Sequence, residues 1–581
     1  IDAVYGCTSR LTVPKPEVSV IIPVYNEFQH TLRAVWSVLF QGISTIEIII
    51  VDDASSDQTE EFFSRLPQIK YIRNNTNIGF LENCNKAAKQ ATGELLYFLN
   101  NDTFVQENAI DFLGATLIQY ETIGLAGSKL IYPDGALQEM GGIVWRDATG
   151  ANFGRNQPAY LSHFQHLREV DYCSGAAIML RKSIWLKVGG FDPRYRPAYY
   201  EDTDLSFSLR LAGLKVVCNP KSIVTHLEGV SSGTDLNQGV KKHQTENRDK
   251  FINKWQYQHE LHQPNSSVDF NAYPHPRKPQ VLFIDSIVPE PDKDAGSVVA
   301  YNYIIILQSL GFSVTFMATN LSLNGGYGDN LRTLGVEVIS APETLDLEGY
   351  IKTYHTMFSL FFLCRHNHGG RFAQLIKSLN AKNKIIFNTC DLHHLREERE
   401  GLHKKNKQLI KQSSISKKSE LSCIRTSDNT IVISEFEQDY LAKIGLKDKI
   451  SLIPLIYETS FDADRSNINI DKIGFIGGYR HTPNVDAVDN FILTTMPKLV
   501  AKHPNIEFHI IGSNPPNHFK KYENKNIKLV GFVDDLEAYV SDFLCTVAPL
   551  NYGAGIKGKI ASSLAIGVPC VASHSAVEGM N

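Results

Sequence analysis

The sequence has few of the features that mark nucleic-acid-binding, membrane-spanning or disulfide-rich proteins. Its 581 residues carry a formal net charge of −4, and no basic tract of the kind that binds duplexes is present, which argues against a nucleic-acid partner. No apolar run is long enough to span a bilayer, so we expect membrane contact to be peripheral at most. The nine cysteines are scattered, odd in number and contain no CxxC pair, which predicts reduced cytoplasmic thiols and neither a zinc site nor a disulfide framework.

The length of the chain and a proline-containing polar segment indicate several domains. A chain of 581 residues is too long for one hydrophobic core and predicts roughly three or four domains. Prolines among polar residues at 263–278 predict a linker. Because the sequence begins at Ile1 rather than Met and stops at Asn581 after a strand-like segment, we expect an excised part of a longer protein. We expect that protein in the cytoplasm, at most at the inner face of the membrane.

Short apolar strands alternate with helices in the first half, which predicts a doubly wound parallel sheet. Leu95–Leu99 is the clearest strand, and Val18–Pro23 and Ile46–Val51 resemble it. Because the carboxyl ends of parallel strands meet at one edge, where ligands bind, the polar residues that follow them should share a rim. These residues are Tyr25, Asn26, Asp52, Asp53 and Asp102.

Each acidic group on this rim has two interpretations. Asp102, after Asn100 and Asn101, suits a hydrated divalent cation that bridges phosphates, but the same residues also make an ordinary turn. Asp52 and Asp53 can accept hydrogen bonds from a uracil or thymine imide and from ribose hydroxyls, or they can cap the next helix.

A second acidic pair, Glu201 and Asp202, begins a predicted helix, whose N-terminal dipole favours an ionised carboxylate that could act as a general base. Acids in a first helical turn are also common as caps alone. His226 ends a strand after Asp202 and can return to the same rim, although a lone histidine is more often structural.

Together these motifs resemble the family 2 glycosyltransferases, in particular the bacterial rhamnosyltransferase-like and O-antigen branch, over about residues 16–260. The motifs are Ile22–Asn26, Val51–Ser55, Asn74–Gly79, Leu99–Thr103, Gly190–Asp192, Tyr199–Leu205 and Thr225–His226. The resemblance implies a GT-A fold, a UDP- or dTDP-sugar donor, a divalent cation (Mn²⁺ or Mg²⁺) and an inverting single displacement. A glycan or lipid-linked saccharide would be the acceptor.

The same resemblance implies roles for individual residues. Asp202 would be the base, with Glu201 beside it, and Asp102 and His226 would hold the metal. Asn100 stands where the general DxD motif has its first Asp, which leaves fewer anionic metal ligands. The donor would contact Pro23, Tyr25, Asn26, Asp52, Asp53, Asn77, Gly79, Asn100 and Asn101.

The second half returns to strand–helix alternation and predicts two Rossmann-like lobes with a ligand between them. Three clusters are candidate ligand contacts: Asp292–Ser297 before a helix, Asp391–Glu398 at a strand end, and the glycine-rich loop Gly553–Lys559. The loop's amides with Lys557 suit a diphosphate, although glycine-rich turns are common.

With Gly477–Asn484 and Gly531–Asp535, these clusters resemble family 4 glycosyltransferases of the GT-B fold, over about residues 279–581. The resemblance implies a retaining transfer, usually without metal, in which Gly296, Arg480 and Lys557 contact the donor and His393 contacts the acceptor. The two glutamates of that family's E-x7-E motif fall near Ala554 and Ser562, and neither position is acidic. The predicted organisation is a GT-A domain at 1–262, a linker at 263–278, and GT-B lobes at 279–460 and 461–581, the last one truncated.

Two functions fit this organisation. In the first, a bifunctional enzyme builds a surface glycan with both halves; in the second, only the first half is catalytic and the second binds carbohydrate or acts as a scaffold. A nucleotide-binding regulatory or redox protein is disfavoured, because no GxGxxG follows an opening strand.

Overall fold

The computed structural model describes residues 16–41, 45–228, 243–256, 258, 261–262, 264–265, 278–456 and 467–580. The chain divides into two compact units, Ile1–Arg277 with Asn330–Glu337, and Lys278–Asp329 with Val338–Asn581. The predicted linker at 263–278 lies almost entirely outside the described residues. Within the described part of the chain, no helix combines the length and the apolar character needed to cross a membrane.

Among its described residues, the first unit has one mixed sheet of ten strands and a separate sheet of two. Its strands are β1 Val18–Val24, β2 Ile46–Asp52, β3 Lys70–Arg73, β4 Leu95–Leu99, β5 Thr103–Val105, β6 Ile123–Ile131, β7 Leu137–Glu139, β8 Gly142–Val144, β9 Gly150–Asn152, β10 Arg168–Glu169, β11 Ala177–Arg181 and β12 Lys215–His226. Its helices are α1 Phe28–Leu39, α2 Thr59–Phe63, α3 Phe80–Gln90, α4 Ala109–Gln119, α5 Lys182–Val188, α6 Glu201–Leu211 and α7 His243–Lys254.

The order β10-β12-β6-β11-β4-β1-β2-β3 brings the ends of β1, β2 and β4 to the same edge of this sheet. β1 runs parallel to β2 and β4, as predicted, whereas β11 runs antiparallel to β4 and β6. The chain between β6 and β11 consists of short strands and loops rather than a crossover helix, so β11 does not have to run parallel.

Both faces of the central strands are buried. Val20 and Ile21 are adjacent on β1, yet they belong to separate apolar clusters on opposite faces of the sheet. This burial explains why the strands read as continuous apolar runs. Pro23, which has no N–H to donate, lies beyond the last β1 residue that pairs with β4, Ile21.

The second unit contains two sheets. Its strands are β13 Gln280–Asp285, β14 Ser313–Ala318, β15 Glu337–Ile339, β16 Leu360–Cys364, β17 Lys384–Asn388, β18 Asn429–Val432, β19 Ile450–Leu452, β20 Asn469–Ile476, β21 Glu507–Ile511, β22 Ile527–Gly531, β23 Phe543–Ala548 and β24 Cys570–Ala572. The helices that follow α7 along the chain are α8 Ala295–Ser309, α9 Gly326–Thr333, α10 Leu347–Tyr354, α11 Ala373–Leu379, α12 His393–His403, α13 Lys407–Thr426, α14 Glu435–Lys443, α15 Thr482–Asn490, α16 Met496–Lys502, α17 Leu536–Val540, α18 Gly558–Ala565 and α19 His574–Val577.

The two sheets have the layout of two Rossmann-like lobes. The first has the order β15-β14-β13-β16-β17-β18-β19 and is parallel from β14 to β19, and the second has the parallel order β22-β21-β20-β23-β24. The sequence predicted most of these strands but missed two. One is β16, whose apolar run continues an aromatic-rich stretch with no turn signal before it, and the other is the three-residue β19. The predicted α/β fold class is confirmed, but the sheet of the first unit is mixed rather than parallel throughout.

Candidate active site

The loop after β1 is tied to the loop after β2. The backbone N–H of Asn26 donates to Ser55 Oγ at 2.7 Å, and Asn26 Oδ1 accepts from the N–H of Ser56 at 2.8 Å. Asn26 is in the left-handed region, with φ of 58°. The ring of Tyr25 is 51% exposed at this edge, where it is available to a ligand.

Asp52 is fully buried and makes an internal ion pair. One carboxylate oxygen accepts from the N–H of Ser55 at 2.9 Å, and the other accepts from the Tyr71 hydroxyl and the Arg73 guanidinium. Burial and the bond to Asp52 raise the pKa of the Tyr71 hydroxyl. Asp52 therefore holds the edge of the sheet together through β3.

Asp53 anchors the loop that leads into α3. Its carboxylate accepts from Asn74 Nδ2, from the N–H of Ile78 and from the N–H of Gly79, each at 2.8 Å. The N–H of Gly79 also donates to Oδ1 of the exposed Asn77 at 3.1 Å. Asp53 thus positions the segment 74–79, which contains Asn77 and Gly79, two predicted contacts of the nucleotide-sugar donor.

The three polar residues after β4 diverge. Asn100 uses its N–H to donate to the Ala176 carbonyl at 2.9 Å, and Asn101 donates its side-chain amide to Thr31 Oγ1 on α1 at 3.1 Å. Asp102 is buried, and its Oδ1 lies 3.2 Å from Nε2 of His226 at the end of β12. Although Asp102 and His226 are 124 positions apart (226 − 102), pairing of β5 with β12 brings them together.

Asp202 is fixed at the start of α6. Its Oδ2 accepts from the N–H of Gly175 at 2.9 Å and its Oδ1 from the N–H of Thr203 at 2.7 Å. Burial raises the pKa of the Asp202 carboxyl above its ordinary value. A carboxylate with a raised pKa, held by backbone amides, is suited to accept a proton from a hydroxyl.

Glu201 has a different environment from its neighbour. It is buried beside Cys84, and its Oε2 has no hydrogen-bond partner among the residues that the structure describes. Burial, followed by the charge of Asp202, raises the pKa of Glu201 well above its ordinary value. Of the two predicted catalytic acids, Asp202 therefore carries the negative charge more readily.

A further acid, Glu139 on β7, was missed by the sequence reasoning. It is buried, and its Oε1 accepts from the N–H of Ser174 at 3.2 Å. Ser174 directly precedes Gly175, whose N–H donates to Asp202. Burial raises the pKa of Glu139 to about 7, and the charge of Asp202 acts in the same direction. The signal in the sequence was a single Glu in a short strand, which no motif accompanied.

This half of the site is thus a buried cluster of carboxylates with one imidazole. Asp102 and His226 together offer one hard oxygen and one nitrogen to a cation, a donor set that suits Mn²⁺. Glu139 and Asp202, which accept from the adjacent N–H groups of Ser174 and Gly175, make the local electrostatic potential negative when they are ionised. The donor chemistry therefore fits a divalent cation at Asp102 and His226.

In the second unit, the glycine-rich loop closes on its own lysine. Lys557 Nζ donates to the carbonyls of Ala554 and Gly555 at 2.7 and 2.5 Å, and burial lowers the pKa of this ammonium to about 8. A Cβ built on Gly555 would lie 3.6 Å from Oε1 of Glu437, a buried acid on α14 that the sequence reasoning did not single out. Burial raises the pKa of Glu437 to about 7.

His393 begins α12 within a network of carboxylates. Its Nδ1 lies 3.0 Å from Asp391 Oδ1 and 3.5 Å from Glu420 Oε1. Burial alone lowers the pKa of His393, but the two carboxylates outweigh it and raise the pKa to about 10. An imidazolium held in this way can donate to a sugar hydroxyl.

His366, His393 and Glu420 bring three donor atoms within 4.8 Å of one another. Glu420, however, accepts the backbone N–H groups of His393 and His394 and so caps α12. His393 lies at ion-pair distance from both Asp391 and Glu420, so these side chains form an ion-pair network.

The other predicted contacts of the second unit lie on its two lobes. Gly296 is in the first turn of α8, where an added Cβ would lie 2.9 Å from Nη2 of Arg365. Arg480 follows β20 and is exposed. Arg399 of α12 pairs with Glu578 at 2.6 Å, which links the lobes of this unit.

Comparison with known proteins identifies the class to which both halves are similar. Residues 19–186 match the family model described as glycosyl transferase family 2, and residues 470–581 match the model described as glycosyl transferases group 1. These two matches confirm the resemblance to glycosyltransferases that the motifs predicted for each half.

Among individual relatives, the O-antigen biosynthesis protein RfbC of Myxococcus xanthus is 30% identical over 232 residues, which are 38% of this chain and 18% of that protein. The N-acetylglucosaminyl-diphospho-decaprenol L-rhamnosyltransferase of Mycobacterium tuberculosis is 25% identical over 37% of this chain and 78% of the relative. The aligned segment thus spans less than a fifth of the length of the Myxococcus protein.

Among solved structures, GalNAc-T7 with UDP, GalNAc and Mn²⁺ is 18% identical, with a TM-score of 0.35, over 42% of this chain and 49% of that one. At this TM-score the likeness has no bearing on the ligands of the present protein.

Proposed function

We propose that the first unit transfers a sugar from a UDP- or dTDP-sugar to a glycan or lipid-linked saccharide acceptor, with inversion, in the synthesis of a bacterial surface glycan. The observation that carries the proposal is the buried pairing of Asp102 with His226. The buried Glu139 interacts electrostatically with both His226 and Asp202, and Asp202 is held by backbone amides. The family 2 match and the names of the two relatives support the reaction class.

In the proposed mechanism, Asp202 accepts the proton of the acceptor hydroxyl as that oxygen attacks the anomeric carbon. The hydrogen bonds from Gly175 and Thr203 orient its carboxylate for this transfer. Asp102 and His226 would hold a divalent cation, and such an ion would supply positive charge to a leaving diphosphate. One in-line displacement inverts the anomeric configuration.

Donor recognition is proposed to depend on the loops after β1, β2 and β3. Tyr25 is exposed there, and Asp53 fixes the backbone at 78 and 79. A nucleotide base or ribose placed on this edge would meet a preformed surface, so little ordering accompanies binding.

The experiment is sugar transfer by the full chain, measured with a panel of nucleotide sugars and radiolabelled product. Asp202→Asn keeps the side-chain size and removes the base, so we expect a loss of about 10²- to 10⁴-fold in turnover. Asp134→Asn is the matched control, because Asp134 is an exposed turn residue whose Oδ1 accepts from Ala136. Unchanged turnover in Asp202→Asn would refute the assignment of the base.

A second candidate function concerns the second unit. Lys557 is engaged by its own loop, and Ser562 occupies a position where an acid was expected, which favours a carbohydrate-binding or scaffolding role over a second transfer. Lys557→Ala in the full chain distinguishes the two roles. Loss of a second linkage with the first retained indicates bifunctionality, whereas a change in polymer length alone indicates the binding role.

A further inference from the structure

His226 is connected to a second polar residue on the side of the ring away from Asp102. Its Nδ1 lies 2.9 Å from Oε1 of Gln138, the residue that precedes Glu139 on β7. Gln138 is only 2% exposed, so its amide is shielded from bulk solvent and makes its hydrogen bonds with neighbouring side chains. The orientation of this amide therefore decides which ring nitrogen carries a proton.

Glu228 sets that orientation. Its Oε2 accepts from the Tyr132 hydroxyl at 2.9 Å, from Arg155 Nη2 at 2.8 Å and from Gln138 Nε2 at 3.2 Å. A carboxylate paired with a guanidinium only accepts hydrogen bonds, so the NH₂ of Gln138 must face Glu228. The carbonyl oxygen of Gln138 then faces His226 and accepts from Nδ1–H.

The consequence falls on the other ring nitrogen. With the proton on Nδ1, the neutral imidazole presents its Nε2 lone pair to Oδ1 of Asp102, at 3.2 Å. Two electron-rich atoms this close require a positive centre between them, either a second proton on the ring or a cation. Histidine ligands of metals commonly have the other ring nitrogen fixed in this way by a hydrogen-bond acceptor.

We propose that Gln138 is a positioning residue that holds His226 with its proton on Nδ1 and thereby presents Nε2 as the nitrogen ligand of the divalent cation. The inference rests on the proposed function, because it assumes the cation at Asp102 and His226. Glu228, which is paired with Arg155, accepts from the NH₂ of Gln138 and so keeps the Gln138 carbonyl oxygen toward His226.

The test uses the full chain and Mn²⁺ alone. Free Mn²⁺ is titrated by electron paramagnetic resonance, and the ¹⁴N coupling in the electron spin-echo modulation of bound Mn²⁺ reports a directly ligated imidazole. In Gln138→Leu we expect Mn²⁺ affinity to fall by about 10- to 100-fold and the nitrogen coupling to weaken. Gln106→Leu is the matched control, since Gln106 donates to Thr225, next to His226, without touching the ring.

A double substitution makes the test independent of simple loss of packing. Gln138→Glu alone places a second carboxylate against Glu228 and should weaken Mn²⁺ binding. Gln138→Glu combined with Glu228→Gln restores an acceptor facing Nδ1 and a donor between the two side chains, and should recover affinity and nitrogen coupling. This comparison decides the matter even if Gln138→Leu does not fold.

The outcomes separate this inference from the proposed function. Wild-type affinity and coupling in Gln138→Leu, or no recovery in the double variant, would overturn the positioning role while leaving the metal site in place. If the wild-type chain binds no Mn²⁺, or keeps its nitrogen coupling in His226→Asn, the proposed metal site fails and this inference fails with it.

Discussion

Substitution of Asp53 tests whether its carboxylate holds the loop before α3 through three hydrogen bonds. The three donors to Asp53, each at 2.8 Å, include two backbone N–H groups at the entry to α3. Asp53→Asn keeps one carbonyl oxygen, which accepts two of the three bonds, and places an NH₂ group against the third donor. Asp53→Ala removes all three bonds.

The magnitude follows from the charge of the acceptor. A hydrogen bond to a charged group contributes about 1.5–3 kcal/mol, so Asp53→Asn should lower the free energy of unfolding of the first unit by about 2 kcal/mol. Asp53→Ala should cost about 4 kcal/mol, since losses within one network are not fully additive. For a unit of this size, 2 kcal/mol corresponds to a fall of about 4–8 °C in Tm.

The chain offers a selective probe for this measurement. Its 4 tryptophans, at positions 36, 145, 185 and 255, all belong to the first unit, so urea unfolding followed by tryptophan fluorescence reports that unit within the full chain. Asp134→Asn, the exposed control, should stay within about 0.5 kcal/mol of wild type. An unfolding midpoint of Asp53→Ala equal to wild type would show that the three hydrogen bonds do not hold this loop.

Two other predictions concern the backbone and pH. Gly79 has φ of 86° and ψ of 160°, a conformation that almost only glycine adopts, and an added Cβ would lie 2.7 Å from Cβ of Pro197. Gly79→Ala should therefore destabilise the first unit, the backbone conformation alone costing about 1–3 kcal/mol. The same fluorescence assay measures the loss, and an unshifted midpoint would contradict it. Asp391 and Glu420 raise the pKa of His393 from 6.5 to about 10, so the stabilisation by its charged form is complete below pH 6.5 and disappears as the pH rises toward 10. Calorimetry of the second-unit transition should show this decline, and His393→Gln should flatten it; an equal slope in both proteins would refute the ion-pair assignment.

Much of the fold follows from local sequence pattern. The strands at 18–24, 46–52 and 95–99 were predicted to within one residue at each end, because an apolar run bounded by polar residues reports a strand buried on both faces. The direction of β11 was not predictable in this way, since strand pairing depends on how the intervening chain returns to the sheet.

The predicted contacts of the nucleotide-sugar donor show the same difference between what local sequence and what tertiary structure determine. Asp52 was predicted to bind the nucleotide, and this stays a prediction. In the structure its carboxylate accepts from Tyr71 and Arg73 of β3, residues that no motif had connected to it. Asn101 was grouped with Asp102, but its amide is directed to α1. Direct contact by Asp53 with a donor stays a prediction, as do the roles of Arg480 and Lys557.

By itself, the sequence determined the order of strands and helices, the position of each acidic motif at a strand end or helix start, and the class of protein that these motifs resemble. Tertiary structure decided which atoms meet. The approach of His226 to Asp102, and the contacts that Gln138 and Glu139 make, depend on segments far apart in the chain. The physical reason is that strand formation depends on neighbours along the chain, whereas hydrogen bonding and burial of a charged group depend on whatever the completed sheet places beside it.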